Sequence, residues 1–152
     1  MNQPDELNQE ISQWLSTLRT IMLATVDADG QPNASYAPYV EQSGAFYILV
    51  SGLARHTGNL LETGRCHAMF IADESSTVNP FARKRLSYAC MVQEMDRQDP
   101  RSEMVLDAMV ERFGQTMHML RSLPDFRLMQ LLPGEGTWVR GFGQAIPVHG
   151  GR

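Results

Sequence analysis

Apolar and polar positions change period several times along the chain, and each change marks an element. DELNQEISQWLSTLRT carries Leu7, Ile11, Trp14, Leu15 and Leu18 at helical spacing, which predicts an amphipathic helix over 5–20 with Asp5 as its N-cap. TIMLATVD then turns to strand character. DADG, Asp27 to Gly30, supplies hairpin chemistry, and QPNASYAPYV returns as a second strand. Pro32 and Pro38 suit an edge or a strand end. Ser43-Gly44 leads into AFYILVS, an apolar run with no alternation, as expected of a strand buried on both faces.

LARHTGNLLETG reads as a short helix closed by Gly64. RCHAMFIADES is the next strand, and NPFARKRLSYACMVQEMD predicts a long one starting after Pro80. DPRSEMVLDAMVERFG and QTMHMLRSLP read as a helical pair parted by Gly114. DFRLMQLLPGEGTWVRGFGQAIPV closes the chain as a hairpin with PGEG as its turn. Short strands with frequent turn signals predict a mainly β, α+β fold: one domain over 1–152, an antiparallel barrel decorated by helices. Barrel strands and inserted helices occupy 20–148, and 149–152 form a short C-terminal tail for which disorder is the default.

Composition narrows the function classes. A net charge of −4 gives no general attraction to nucleic acid or to anionic membranes. No apolar run reaches the ~20 residues needed to span a bilayer, and the polar N-terminus does not resemble a signal peptide. Cys66 and Cys90, without metal-site spacing, suit a reduced, cytoplasmic setting.

The candidate chemistry sits where AFYILVS gives way to helix. Ser51, Arg55, His56, Thr57 and Asn59 gather at one helix N-terminus, which stabilises a phosphate or carboxylate through its open N–H groups. The alternative is a helix that caps itself while Arg55 faces water. In FARKRL, period-two alternation puts Phe81, Arg83 and Arg85 on one strand face and Lys84 on the other. Arg83 and Arg85 face water or line an anion pocket, because unpaired buried charge is costly. Gly141-Phe142-Gly143, read within the last strand with Trp138 and Phe142 on one face, suggests a bulge or a close approach by a flat ligand. His67 and His118 lack partners at metal-ligand spacing and read as structural or exposed.

Taken in order, LATVDADGQPNASYAPYV, LARHTGNL, NPFARKRL, ERFG, DF and GFGQA resemble the heme iron utilisation branch of the pyridoxamine 5'-phosphate oxidase-like superfamily, over roughly 15–148. The resemblance implies a split β-barrel homodimer with two equivalent pockets at the subunit interface. In the wider superfamily those pockets hold FMN, with its phosphate near the segment matching Ser51 to Asn59 and the SYAPYV strand lining the ring. In the heme utilisation branch a similar interface accepts heme, and some members degrade it. By the matching motifs, Thr25, Arg85 and Asp125 correspond to residues of the heme pocket or its hydrogen-bonding network. Heme-handling relatives carry an iron-ligating histidine in a segment beyond the GFG strand, and here His149 is the histidine of that region. The leading expectation is therefore FMN with a redox role, in an FMN-dependent oxidoreductase. The alternative is a heme-binding or heme-degrading protein with His149 on iron, and the third reading is a non-catalytic relative with an empty pocket.

Overall fold

The computed structural model describes residues 3–150 and contains one eight-stranded antiparallel sheet with four helices. In chain order the elements are α1 (Gln3–Leu15), β1 (Thr20–Val26), β2 (Pro32–Pro38), β3 (Val40–Gln42), β4 (Ala45–Ser51), α2 (Arg55–Thr63), β5 (Arg65–Ile71), β6 (Arg85–Glu94), α3 (Pro100–Phe113), α4 (Gln115–Leu120), β7 (Phe126–Gly141) and β8 (Gln144–His149). The sheet runs β2-β1-β5-β6-β7-β4-β3, and β8 pairs with β7 off that path.

This order explains the barrel. The two ends of the path, β2 and β3, are consecutive in sequence and joined only through Tyr39. The sheet must curl until its edges meet, yet no ladder closes them among the described residues. The architecture is that of a split barrel, mainly β with flanking helices. Pro38 ends β2, since proline cannot donate to a ladder, and the chain resumes as β3 against β4.

The interior holds Ile21, Leu23, Ile48, Leu86, Leu131 and an aromatic group in which the rings of Tyr39 and Phe46 each lie 4.9 Å from Phe70. Strand β4 is buried on both faces, as its unbroken apolar run requires. Its outer residues Tyr47 and Leu49 pack with Val105, Leu106 and Met109 of α3 and with Met117 of α4. Arg112 ties this second layer to the barrel. Its guanidinium donates to the Leu18 and Tyr39 carbonyls and lies 5.0 Å from the centre of the Tyr39 ring. Burial pushes the Tyr39 phenol up to about 12, and its hydroxyl donates to the Leu15 carbonyl.

Several local expectations need correction. PGEG is not a turn: β7 passes through it, and the chain reverses at Gly141–Gln144 with Gly143 at φ +71°. The glycines of PGEG serve close packing instead. A Cβ on Gly136 would lie within 2.2 Å of the Ser87 carbonyl oxygen, inside the β6–β7 ladder. Phe142, at the hairpin tip, is exposed, so it does not share a buried face with Trp138. The FARKRL alternation also fails, because Pro80–Ala82 form a 3-10 turn capped by the Asn79 side chain and β6 begins only at Arg85. The N-terminal helix is in place over Gln3–Leu15, so Asp5 lies in its first turn rather than capping it. Of the expected tail, His149 ends β8 and Gly150 donates to the Gly134 carbonyl, so both are held by the sheet; Gly151 and Arg152 lie outside the described residues.

Candidate functional site

Helix α2 is set against the barrel by a close backbone contact. The Gly52 N–H donates to the Asp125 carbonyl at 2.6 Å, and a Cβ at Gly52 would meet that oxygen at 2.8 Å. Asp125 therefore joins the Ser51 corner through its backbone, while its side chain is exposed. No side chain caps α2: Ala54 occupies the N-cap position. Thr57 instead donates its hydroxyl to the Ser51 carbonyl at 2.5 Å, and Ser51 Oγ accepts the Leu53 N–H. The self-capping reading is thus not what the helix does, and a helix N-terminus without a side-chain cap is one that an anion would stabilise. Arg55 is exposed at that end.

The remaining residues of the cluster point to β1 and β2. His56 Nδ1 pairs with Ser35 Oγ at 2.8 Å, which leaves Nε2 available. Asn59 Nδ2 donates to Thr25 Oγ1 at 3.0 Å across α2 and β1, and both side chains are buried. Thr25 lies on the inner face of β1, so this bond is made inside the barrel, while Ala24 on the same strand faces outward. Asn59 thus holds Thr25 rather than facing a ligand. Asn59→Ala strands the Thr25 oxygen in the interior and is expected to cost ~1–3 kcal/mol, measured by denaturant unfolding.

Desolvation holds His56 below its ordinary value of 6.5, so it is neutral near pH 7. The folded form then binds fewer protons than the unfolded chain below pH 6.5, and stability falls as pH drops from that value toward the depressed one. His56→Gln is expected to flatten this part of the stability–pH curve, and an unchanged slope would count against the assignment.

Beside Thr25 the sheet opens into a groove of about 620 Å³. Ala24, Val26 and Pro32 line it from the β1–β2 side, and Ala89, Met91 and Leu132 from β6 and β7. Arg65, His67 and Glu135 add polar atoms. Sequence reasoning missed this apolar lining; it read His67 as structural or exposed, and His67 is exposed, at the edge of the groove. Ladder register shows why His67 matters: Ala24 pairs with His67, and His67 with Ala89, so small residues flank the imidazole on both neighbouring strands. One alanine on each of the two strands beside His67 was the available signal.

The two arginines lie elsewhere. Arg83 Nε donates to the Ala72 carbonyl at 2.7 Å, and Arg85 Nη1 donates to the Arg83 carbonyl at 2.8 Å. Register places Arg85 opposite Ile71, four residues along β5 from His67, or about 13 Å at a strand's rise. Within one protomer, then, Thr25, His56, Thr57 and Asn59 form one group and Arg83 with Arg85 another. His149 is paired in register with Glu135 at the groove's rim, and its residue also borders a separate small cavity beside Asn8 and Ser12 of α1. Its Nδ1 contacts the Gly150 carbonyl oxygen at 2.8 Å.

No helix among the described residues is long and apolar enough to cross a membrane. The family model described as pyridoxamine 5'-phosphate oxidase matches residues 7–139. The chain is 40% identical over 144 residues to the heme oxygenase HutZ of Vibrio cholerae serotype O1, which covers 95% of this chain and 82% of that protein. A crystal structure of HutZ, described as a heme storage protein of Vibrio cholerae, superposes with a TM-score of 0.80 at 34% identity, over 94% of each chain. Campylobacter jejuni ChuZ gives a TM-score of 0.88 at 28% identity over 98% of this chain and 61% of that one. The chain belongs to the pyridoxamine 5'-phosphate oxidase family, in the heme utilisation branch that includes HutZ and ChuZ.

Proposed function

We propose that this protein binds heme in the groove beside Thr25. The observation that carries the reading is the groove itself: an apolar slot that suits a flat hydrophobic macrocycle, with a few convergent polar groups to orient it. The heme functions named for HutZ at 40% identity support the same choice over FMN. The residues present fit the group. Ala24, Val26, Ala89, Met91 and Leu132 offer apolar contact, and Arg65 offers a charge for a carboxylate. Within a protomer His67 is the imidazole of the groove, a suitable iron ligand when neutral. Bound heme supplies iron-centred redox and ligand-binding chemistry; the chain's own part is to bind it, orient it and limit water around it.

A second copy completes the reading. The outer face of the sheet carries exposed apolar side chains in adjacent register: Tyr36 opposite Met22, and Met91 on β6 beside Leu132 on β7. A homodimer formed there covers this face and brings a partner's surface to the groove, where Arg85, distant within one protomer, is the arginine expected to meet a propionate. Light scattering after gel filtration is expected to give a dimer, whereas a monomer at micromolar concentration would remove this part of the proposal.

FMN is the second reading, favoured by the uncapped N-terminus of α2 beside Ser51, His56 and Thr57, which suits a phosphate. Parallel titrations with hemin and FMN distinguish the two. Hemin is expected to give a saturable Soret band that changes in His67→Ala and is retained in His149→Ala. The reverse pattern moves the ligand role to His149, and saturable flavin binding without a hemin signal supports FMN instead.

A further inference from the structure

Cys66 on β5 and Cys90 on β6 are register partners, and both are free thiols. The ligand chemistry proposed above uses neither. Two backbone bonds fix how they face each other: Val92 N–H donates to the Gly64 carbonyl, and Ala72 N–H to the Lys84 carbonyl. Hydrogen-bonded pairs recur at every second position of an antiparallel ladder, so Cys66–Cys90 is one of them, with Cα atoms about 5.5 Å apart. That separation is within the range a disulfide spans. Both side chains face the barrel interior. Cys90 is 4% exposed, while Cys66 is only partly buried and packs at the edge of the same cluster. Contact with Cys66, and then burial, push the Cys90 thiol up, and its Sγ donates to the Tyr88 carbonyl at 3.7 Å.

We infer that Cys66 and Cys90 form a reversible dithiol–disulfide site in the wall of the groove. Cys66 is only partly buried, so it is the thiol that a small disulfide such as oxidised glutathione reaches first. The Cys66 thiolate attacks one sulfur of the oxidant, its S–S bond breaks, and one small thiolate leaves and takes up a proton. Cys90 gives up its proton and attacks the Cys66 sulfur of the mixed disulfide, and the second small thiol departs. Two protein thiols are oxidised to one S–S bond, and the small disulfide is reduced to two thiols.

Closure has a cost that makes the bond reversible. In a hydrogen-bonded pair the Cβ atoms lie toward the wide end of ~4.5–5.5 Å, whereas a disulfide holds them at ~3.5–4.5 Å. Drawing β5 and β6 together strains the bond and places it among the labile, easily reduced disulfides. It also shifts the row Ala24–His67–Ala89 that floors the groove.

The inference is independent of which ligand the groove takes, and its test reads sulfur chemistry alone. The folded full-length chain is incubated with oxidised glutathione, its remaining thiols are alkylated, and it is digested with trypsin. Cleavage after Arg65, Arg83, Arg85 and Arg97 places the cysteines on separate peptides, Cys66–Arg83 and Leu86–Arg97. The expected result is a covalent link between these two peptides, a mass loss of two hydrogens in the intact chain, and full reversal by dithiothreitol. Cys66→Ser is expected to leave Cys90 alkylatable after the same treatment. Persistent free thiols, a glutathione adduct that stops at Cys66, or a link between two copies of the Cys66 peptide would each overturn the inference.

Discussion

Trp138→Ala is expected to destabilise the protein by ~3–5 kcal/mol, the range for removing a fully buried aromatic side chain. Trp138 has no exposed surface and joins β7 to α1 and to the segment just before β6. Its ring lies 4.9 Å from that of Trp14 on α1, its Nε1–H donates to Glu10, and the Lys84 ammonium sits 5.9 Å from its centre. Truncation opens a cavity between β7 and α1 and leaves Glu10 held by Arg140 alone. That ion pair is half-exposed and contributes little by itself, so α1 is then held mainly by its own apolar stripe. Trp138→Phe keeps most of the apolar contact and is expected to cost markedly less. Urea or guanidinium unfolding followed by circular dichroism checks both; a loss below ~1 kcal/mol for Trp138→Ala would show that the neighbours collapse into the space.

The second large effect is on binding. Met91 projects into the groove and is 67% exposed in the protomer, so replacing it should not disturb the core. Met91→Asp removes apolar contact worth ~1.5–3 kcal/mol and sets a carboxylate against a hydrophobic ring. Hemin affinity is expected to fall roughly ten- to hundred-fold, since each ~1.4 kcal/mol is a factor of ten. The unfolding midpoint should stay close to that of the parent chain. Because Met91 also belongs to the proposed dimer face, the oligomeric state is measured on the same sample. Unchanged hemin binding by a correctly folded variant would place the ligand elsewhere.

What the sequence revealed depended on the range of the interactions involved. Local signals were sound: the α1 stripe, the hairpin at Asp27, whose Oδ1 accepts the Asp29 and Gln31 N–H groups, and Gly64 as a left-handed C-cap with φ +67°. AFYILVS showed its burial because a strand covered on both faces needs no alternation. Failures came where a local motif served a distant purpose. Gly134 and Gly136 read as turn residues, but they lie in β7 where the neighbouring strand comes close, and only the positions of Ala89 and Ser87 show it. The strand read as starting after Pro80 begins only at Arg85, because Asn79 caps a 3-10 turn over Pro80–Ala82.

The candidate site was legible to the same degree. The segment from Ser51 to Asn59 stood out through its residue types. Its internal bonding did not: Asn59 reaches Thr25 and His56 reaches Ser35, contacts 34 and 21 residues apart in sequence. The groove was least visible, since its lining comes from five strands whose register no single segment encodes. Thr25, Arg85 and Asp125 entered through family resemblance. The structure gives Thr25 a physical role, ties Asp125 to the α2 corner by its carbonyl, and sets Arg85 at another level of the barrel.

The most direct test of the account is a hemin titration of the purified protein followed by visible absorption, alongside Met91→Asp and His67→Ala. The account predicts a sharp, saturable Soret band for the parent chain, weakened by the groove charge and altered in position by loss of the imidazole. A linear, unsaturable rise in all three proteins would contradict it.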